Sequence, residues 1–219
     1  MSRGQIALWM LTKFAMVFFI FALALLMTTF ANREKAALCE LEAERVAISV
    51  SSLVQQVLTS PSEDERKVYV LPSSLSIGSG DYAVYELKIT LKEVGGVDTL
   101  LVSVDAANAK CSAGRRIPLT EKIAENNDGV EFSAQGSVSN IVTSPDYQIT
   151  FEPSIGQDRS AYMILIKCRQ KIDIFAGGTL DVKQFLFVQD CRDSGFSAVN
   201  PDSCLSFDSA ELQDRCNWG

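Results

Sequence analysis

Six cysteines carry most of the chemistry open to this chain: Cys39, Cys111, Cys168, Cys191, Cys204 and Cys216. Their spacing contains no CxxC pair, so a zinc ribbon or a thioredoxin-like centre is a weak reading. An even number at wide separations fits disulfides formed in an oxidising compartment. Free thiols in a reducing compartment, several of them buried as small hydrophobes, are the alternative. The expected pairing is Cys111 with Cys168 inside the folded domain and one pair involving the tail cysteines. Cys39 then meets a tail cysteine or stays buried.

Other chemistry is conspicuously missing. The chain has no histidine, which removes Ser-His-Asp and Cys-His catalysis and the commonest transition-metal ligand. No Walker loop, GxGxxG or GxSxG motif occurs, and Gly78-Ser79-Gly80 precedes a strand pattern, so it reads as a turn rather than a phosphate cradle. Carboxylate pairs such as Glu63 and Glu65 belong to an exposed charge run. A metal site of tail thiolates with Asp202, Asp208 or Asp214 lacks the DxDxDG-like loop that calcium needs. The sequence therefore predicts no catalytic residues, no metal and no cofactor. A lysine- or carboxylate-based ectoenzyme is the outlying reading. With a net charge of -7 and no basic stripe, nucleic acid is not an expected partner.

The elements that must position the cysteines begin with an anchor. Phe14 to Asn32 is nineteen residues without a charge, close to the roughly 20 that cross about 30 Å of hydrocarbon. Lys13 alone interrupts an uncharged run that begins at Gly4, and its ammonium can snorkel to headgroups. A cleaved secretory signal is the rival, but its apolar region is shorter and a loop follows it. Here a helical pattern follows. Arg3, Lys13 and the amino terminus on the short side place the N-terminus in the cytoplasm by the positive-inside rule, and the bulk of the chain outside.

From Arg33 to Thr59 the chain has neither Gly nor Pro. Ala36, Cys39, Ala43, Val46, Val50, Leu53, Val54 and Val57 recur at three- and four-residue steps, the apolar stripe of an amphipathic helix. Ser60-Pro61 ends it, because the residue before proline is pushed out of helical geometry. Leu38, Leu41 and Ile48 fall on another face, where they are either scattered surface residues or contacts to a neighbouring subunit.

This layout resembles type IV pilins and pilin-like proteins, especially the archaeal kind with class III signal peptides. Ser2-Arg3-Gly4 corresponds to the short basic leader, and Gln5 to the first mature residue. The resemblance implies cleavage between Gly4 and Gln5 by a prepilin-type peptidase, and a helix that packs on a β-domain. The family usually has Ser two residues after the Gln and Glu four after it; this chain has Ala7 and Trp9. The implied partners are the lipid bilayer, the peptidase, and pilin-like subunits or envelope proteins. A non-filamentous, membrane-anchored binding or adhesion module is the alternative that the departures favour.

Beyond the helix the period changes to two. Ser62 to Lys67 is expected as a charged, solvated connector. Tyr85, Leu87, Ile89 and Leu91 alternate with polar residues, and Leu100, Val102 and Val104 follow Gly95-Gly96, predicting a hairpin. Ile117 to Leu119 opens a weaker stretch, with a loop at 126–129. Further strands are expected within 130–142, at 147–151, at 162–166, and in a hairpin spanning 172–188. The Val68–Leu75, Tyr82–Leu91 and Arg115–Leu119 segments also resemble the β-module of archaeal class III signal-peptide proteins. The acidic stretch after Asp190 has little apolar mass and needs disulfide staples. The expected class is α+β: a long N-terminal transmembrane and amphipathic helix, then an antiparallel sheet or sandwich. The expected division is a leader at 1–4, a transmembrane helix at 5–32, an amphipathic extension at 33–60, an extracytoplasmic β-rich domain at 66–190, and a cysteine-bearing acidic tail at 191–219.

Overall fold

A computed structural model describes residues 3–78, 80–124, 129–133, 148–153, 162–169, 183–191 and 216, with the backbone alone for 3–8. The first element, α1 (Arg3–Thr59), is one unbroken helix of 57 residues. No helix-breaking residue lies between Gln5 and Thr59, so at 1.5 Å per residue the rod is about 85 Å long. It ends at Ser60-Pro61.

Ten strands and one helical turn follow in the described residues: β1 (Glu65–Val70), β2 (Leu75–Ser76), β3 (Tyr82–Ala83), β4 (Glu86–Val94), β5 (Val97–Ala106), β6 (Cys111–Pro118), α2 (Glu121–Ala124), β7 (Val130–Ser133), β8 (Gln148–Phe151), β9 (Tyr162–Arg169) and β10 (Gln184–Cys191). They form two four-stranded sheets, ordered β1-β9-β10-β7 and β6-β5-β4-β8, and the small β2-β3 ladder. The pairings are antiparallel except β10 with β7, which is parallel. The α+β class is therefore the observed one.

The β4–β5 hairpin closes with Val94 opposite Val97, leaving two residues in the loop. Gly95 and Gly96 both have positive φ, 64° and 81°. A two-residue turn matching strand twist needs that conformation at both positions, and glycine adopts it without a Cβ clash.

Two boundaries differ from expectation. Glu65, Arg66 and Lys67 are not a connector but the start of β1, paired with Lys167, Ile166 and Leu165. β1 is an edge strand, where charged side chains are at home because one side of the ladder faces solvent. Ile117-Pro118 closes a strand instead of opening one: β6 starts at Cys111, and Pro118 terminates it at the edge of its sheet. The expected strands within 134–142 and 172–182 lie outside the described residues.

One core joins the helix and both sheets. Val46, Val50, Val54 and Val57 of α1 meet Leu87, Ile89, Leu100, Val102, Val104 and Phe151 of one sheet and Met163, Leu165, Leu186 and Val188 of the other. A second cluster on the opposite face of β9 and β10 contains Ile164, Ile166, Cys168, Phe185, Phe187, Cys191 and Cys216. Thus β9 is buried on both faces, as its unbroken apolar run YMILI requires.

Candidate functional site

The surroundings of α1 divide it in two. From Cys39 onward it buries Cys39, Ala43, Val46, Ala47, Val50, Val54, Val57 and Leu58 against the β-domain. Ahead of Cys39, every side chain from Trp9 to Leu38 is exposed, Ala36 included. Ala36 was expected in the buried stripe, but the domain's footprint on the helix starts one turn later. Phe14, Met16, Val17, Phe18, Phe19 and Ile20 stand bare on all sides of the helix. An apolar surface around the whole circumference suits an apolar medium and not one packed face. By length and composition this helix can cross a membrane.

The threonine hydroxyls in the apolar half are satisfied locally. Thr12, Thr28 and Thr29 each donate their hydroxyl to the carbonyl three residues back, at 2.9, 2.9 and 2.8 Å. An unpaired hydroxyl in hydrocarbon would cost several kcal/mol on the order-of-magnitude scale for buried polar groups. At the N-terminal end of the run, the Lys13 ammonium lies over the Trp9 ring at 5.5 Å from its centroid, a cation–π contact. At the other end, Lys35 pairs with Asp81 at 2.5 Å, tying the β2–β3 loop to the helix.

The residues singled out from sequence are placed as follows. Gly4 and Gln5 lie in the first turns of α1. Leu38, Leu41 and Ile48 are on the side away from the β-domain, 38%, 61% and 45% exposed. Cys39 is bonded to Cys111, and Cys168 to Cys216. The expected Cys111–Cys168 pair is therefore wrong. Cys111 sits at the head of β6 beside α1, whereas Cys168 points to the far face of β9, so the sheet lies between them. Cys191 is also disulfide-bonded and fully buried. Cys204 and the tail aspartates lie outside the described residues.

Sequence reasoning missed a polar joint at the end of α1. Lys167 is 2% exposed, and its Nζ donates to the carbonyls of Ser60 at 2.8 Å and Leu58 at 3.4 Å. A cation at a helix C-terminus satisfies carbonyls that have no intrahelical partner and complements the helix dipole. Burial pulls the Lys167 ammonium below its ordinary range; Glu65 opposes this and Lys122 adds to it. The Ser60 hydroxyl beside Glu65 holds that carboxyl below its usual range. Arg169 reinforces the joint by pairing with Glu63 at 2.6 Å and donating its N–H to Asp64. A lysine set between the apolar run of β9 and its buried Cys168 was the available signal.

No family model, no curated protein and no solved structure matches this chain.

Proposed function

We propose that this chain is a single-pass, membrane-anchored, pilin-like surface protein with a structural or assembly role in a type IV pilus-like system. The supporting observation is the division of one unbroken helix: its first half is bare and apolar, and its second half is the spine of a disulfide-bonded β-domain. A rod of this kind couples an apolar stem rigidly to a folded head. On this reading Gly4–Gln5 is the processing site, the β-domain is extracytoplasmic, and Leu38, Leu41 and Ile48 face a neighbouring subunit. On the same reading the protein has no enzymatic role. Mass spectrometry of the mature N-terminus tests the reading: a chain starting at Gln5 supports it, and one starting at Met1 or Ser2 counts against it.

A standing membrane-anchored binding module is the second reading, favoured by Trp9 and its contact with Lys13. Trp9 stands where the resemblance expects a Glu, and a tryptophan beside a lysine suits the headgroup level of a fixed anchor. It predicts an uncleaved N-terminus and extraction as a small oligomer.

A further inference from the structure

The β2–β3 loop is held at a definite height along α1, and that height can be compared with the apolar run. Asn32 is the last residue of the run, and Lys35 lies three residues further on, a rise of about 4.5 Å. Each headgroup layer is about 5–7 Å deep beyond the hydrocarbon. Lys35 therefore falls within it if the helix spans. Asp81 is bound to Lys35, so the β2–β3 loop is at the same level.

The loop is built to stay there. Ile77 N–H donates to the Asp81 carbonyl at 3.0 Å, closing the turn. Leu75 pairs with Ala83, and Ser76 with Tyr82. Leu75, Ala83 and Tyr85 point into the core, and the Tyr85 hydroxyl donates to the Pro72 carbonyl at 2.7 Å. The alternation leaves Tyr82 and Val84 pointing outward, 68% and 44% exposed. One helical turn above, the Cys39–Cys111 bond fixes the same end of the domain to α1.

We infer that the β2–β3 loop is a second membrane contact, with the Tyr82 ring seated among the headgroups next to the helix. The inference rests on α1 spanning the bilayer and does not depend on which side the domain occupies. A tyrosine suits that layer because its ring is apolar and its hydroxyl remains hydrated. The charged groups at this level fit the same surroundings: Arg33 is exposed, and the Lys35–Asp81 pair is half-exposed. Two fixed contacts, the helix and the loop, keep the domain from swinging about its stem.

The far tip of the β4–β5 hairpin is the natural reference point. β5 runs from Val97 at that tip to Ala106 beside Cys111, about 30 Å at 3.3–3.4 Å per residue. The chain has two tryptophans, Trp9 and Trp218. Replacing them by phenylalanine permits three full-length proteins with one tryptophan each: Trp9 retained, Tyr82→Trp, and Val97→Trp. Each is reconstituted in phosphatidylcholine bilayers brominated near the glycerol end of the acyl chains. The expected result is that the Tyr82→Trp protein and the Trp9 protein each lose at least about half of their emission, as aromatic groups at the headgroup level should. The Val97→Trp protein keeps its emission. Quenching of Trp9 but not of the Tyr82→Trp protein overturns the loop contact and leaves the span standing. A blue-shifted but unquenched Tyr82→Trp emission likewise overturns it, because another protein surface then covers the ring. Failure to quench Trp9 overturns the span, and the loop contact with it.

Discussion

Cys39, on the helix, is bonded to Cys111, at the head of β6, with a sequence separation of 72 residues and 6.0 Å between their Cα atoms. The bond closes a loop that holds the C-terminal third or so of α1, the whole of β1 to β5 and the turns between them. The domain is thereby clasped to the helix at the first turn that it buries. Arg115, four residues along β6, pairs with Glu44, five residues along α1, but both side chains are about half-exposed and such pairs contribute little.

Cys39→Ser with Cys111→Ser is expected to destabilise the folded domain by about 2–4 kcal/mol, the typical range for a disulfide. Urea unfolding of the full chain in detergent, followed by near-ultraviolet circular dichroism, measures this. Arg115→Gln in the same assay should cost less than about 1 kcal/mol. If the two variants cost the same, the disulfide is not the principal clasp.

Lys167→Met should destabilise by about 1–3 kcal/mol, the range for leaving buried acceptors without a donor, because the Ser60 and Leu58 carbonyls lose their partner. The pH dependence has a definite sign. Lys167 titrates lower in the folded state than in the unfolded chain. Between those two values the unfolded chain binds more protons, so stability rises with pH. The burial penalty is complete below the folded value and is relieved as pH rises towards the ordinary lysine range. The wild-type protein should therefore gain stability over Lys167→Met as pH is raised from neutrality towards about 10. A constant gap between the two unfolding curves contradicts the assignment.

Gly129→Ala should be strongly destabilising. A Cβ at this position would lie 1.7 Å from the backbone oxygen of Ile123, and the Gly129 carbonyl accepts from the Leu186 N–H at 2.7 Å. Neither neighbour is a flexible side-chain end. Separating α2 from the start of β7 would disturb the buried Ile123 and Val130, at a cost of at least about 1–3 kcal/mol. A thermal melt of the variant decides it, and an unchanged midpoint would show that the backbone here shifts freely.

Leu41→Glu separates the two functional readings. Leu41 is 61% exposed and away from the β-domain, so the fold should change by no more than about 0.5 kcal/mol. If this face meets a neighbouring subunit, the charge should abolish the higher-order species trapped by cross-linking in native membranes. A standing module predicts an unchanged cross-linking pattern.

Local pattern and tertiary placement supplied different parts of this protein. Hydropathy and the absence of Gly and Pro made α1 legible, since helix continuity and the apolar run depend on neighbours in the chain. Alternation at Leu87, Ile89 and Leu91, and the Gly95-Gly96 turn, made the β4–β5 hairpin legible for the same reason. The charge-rich start of β1 was not legible, because an edge strand is identified by its partner, and β9 lies about a hundred residues away. The partners of Cys39 and Cys168 depend on which face of a sheet each thiol occupies, so spacing alone misassigned them. Lys167 stood in the sequence directly after the apolar run of β9; only the folded chain brings the end of α1 to it. The candidate site divides likewise. The apolar stem could be drawn from residue types alone, whereas the height of Asp81 and Tyr82 along that stem exists only because the chain from β1 to the β2–β3 loop returns along the helix from Ser60 to Lys35.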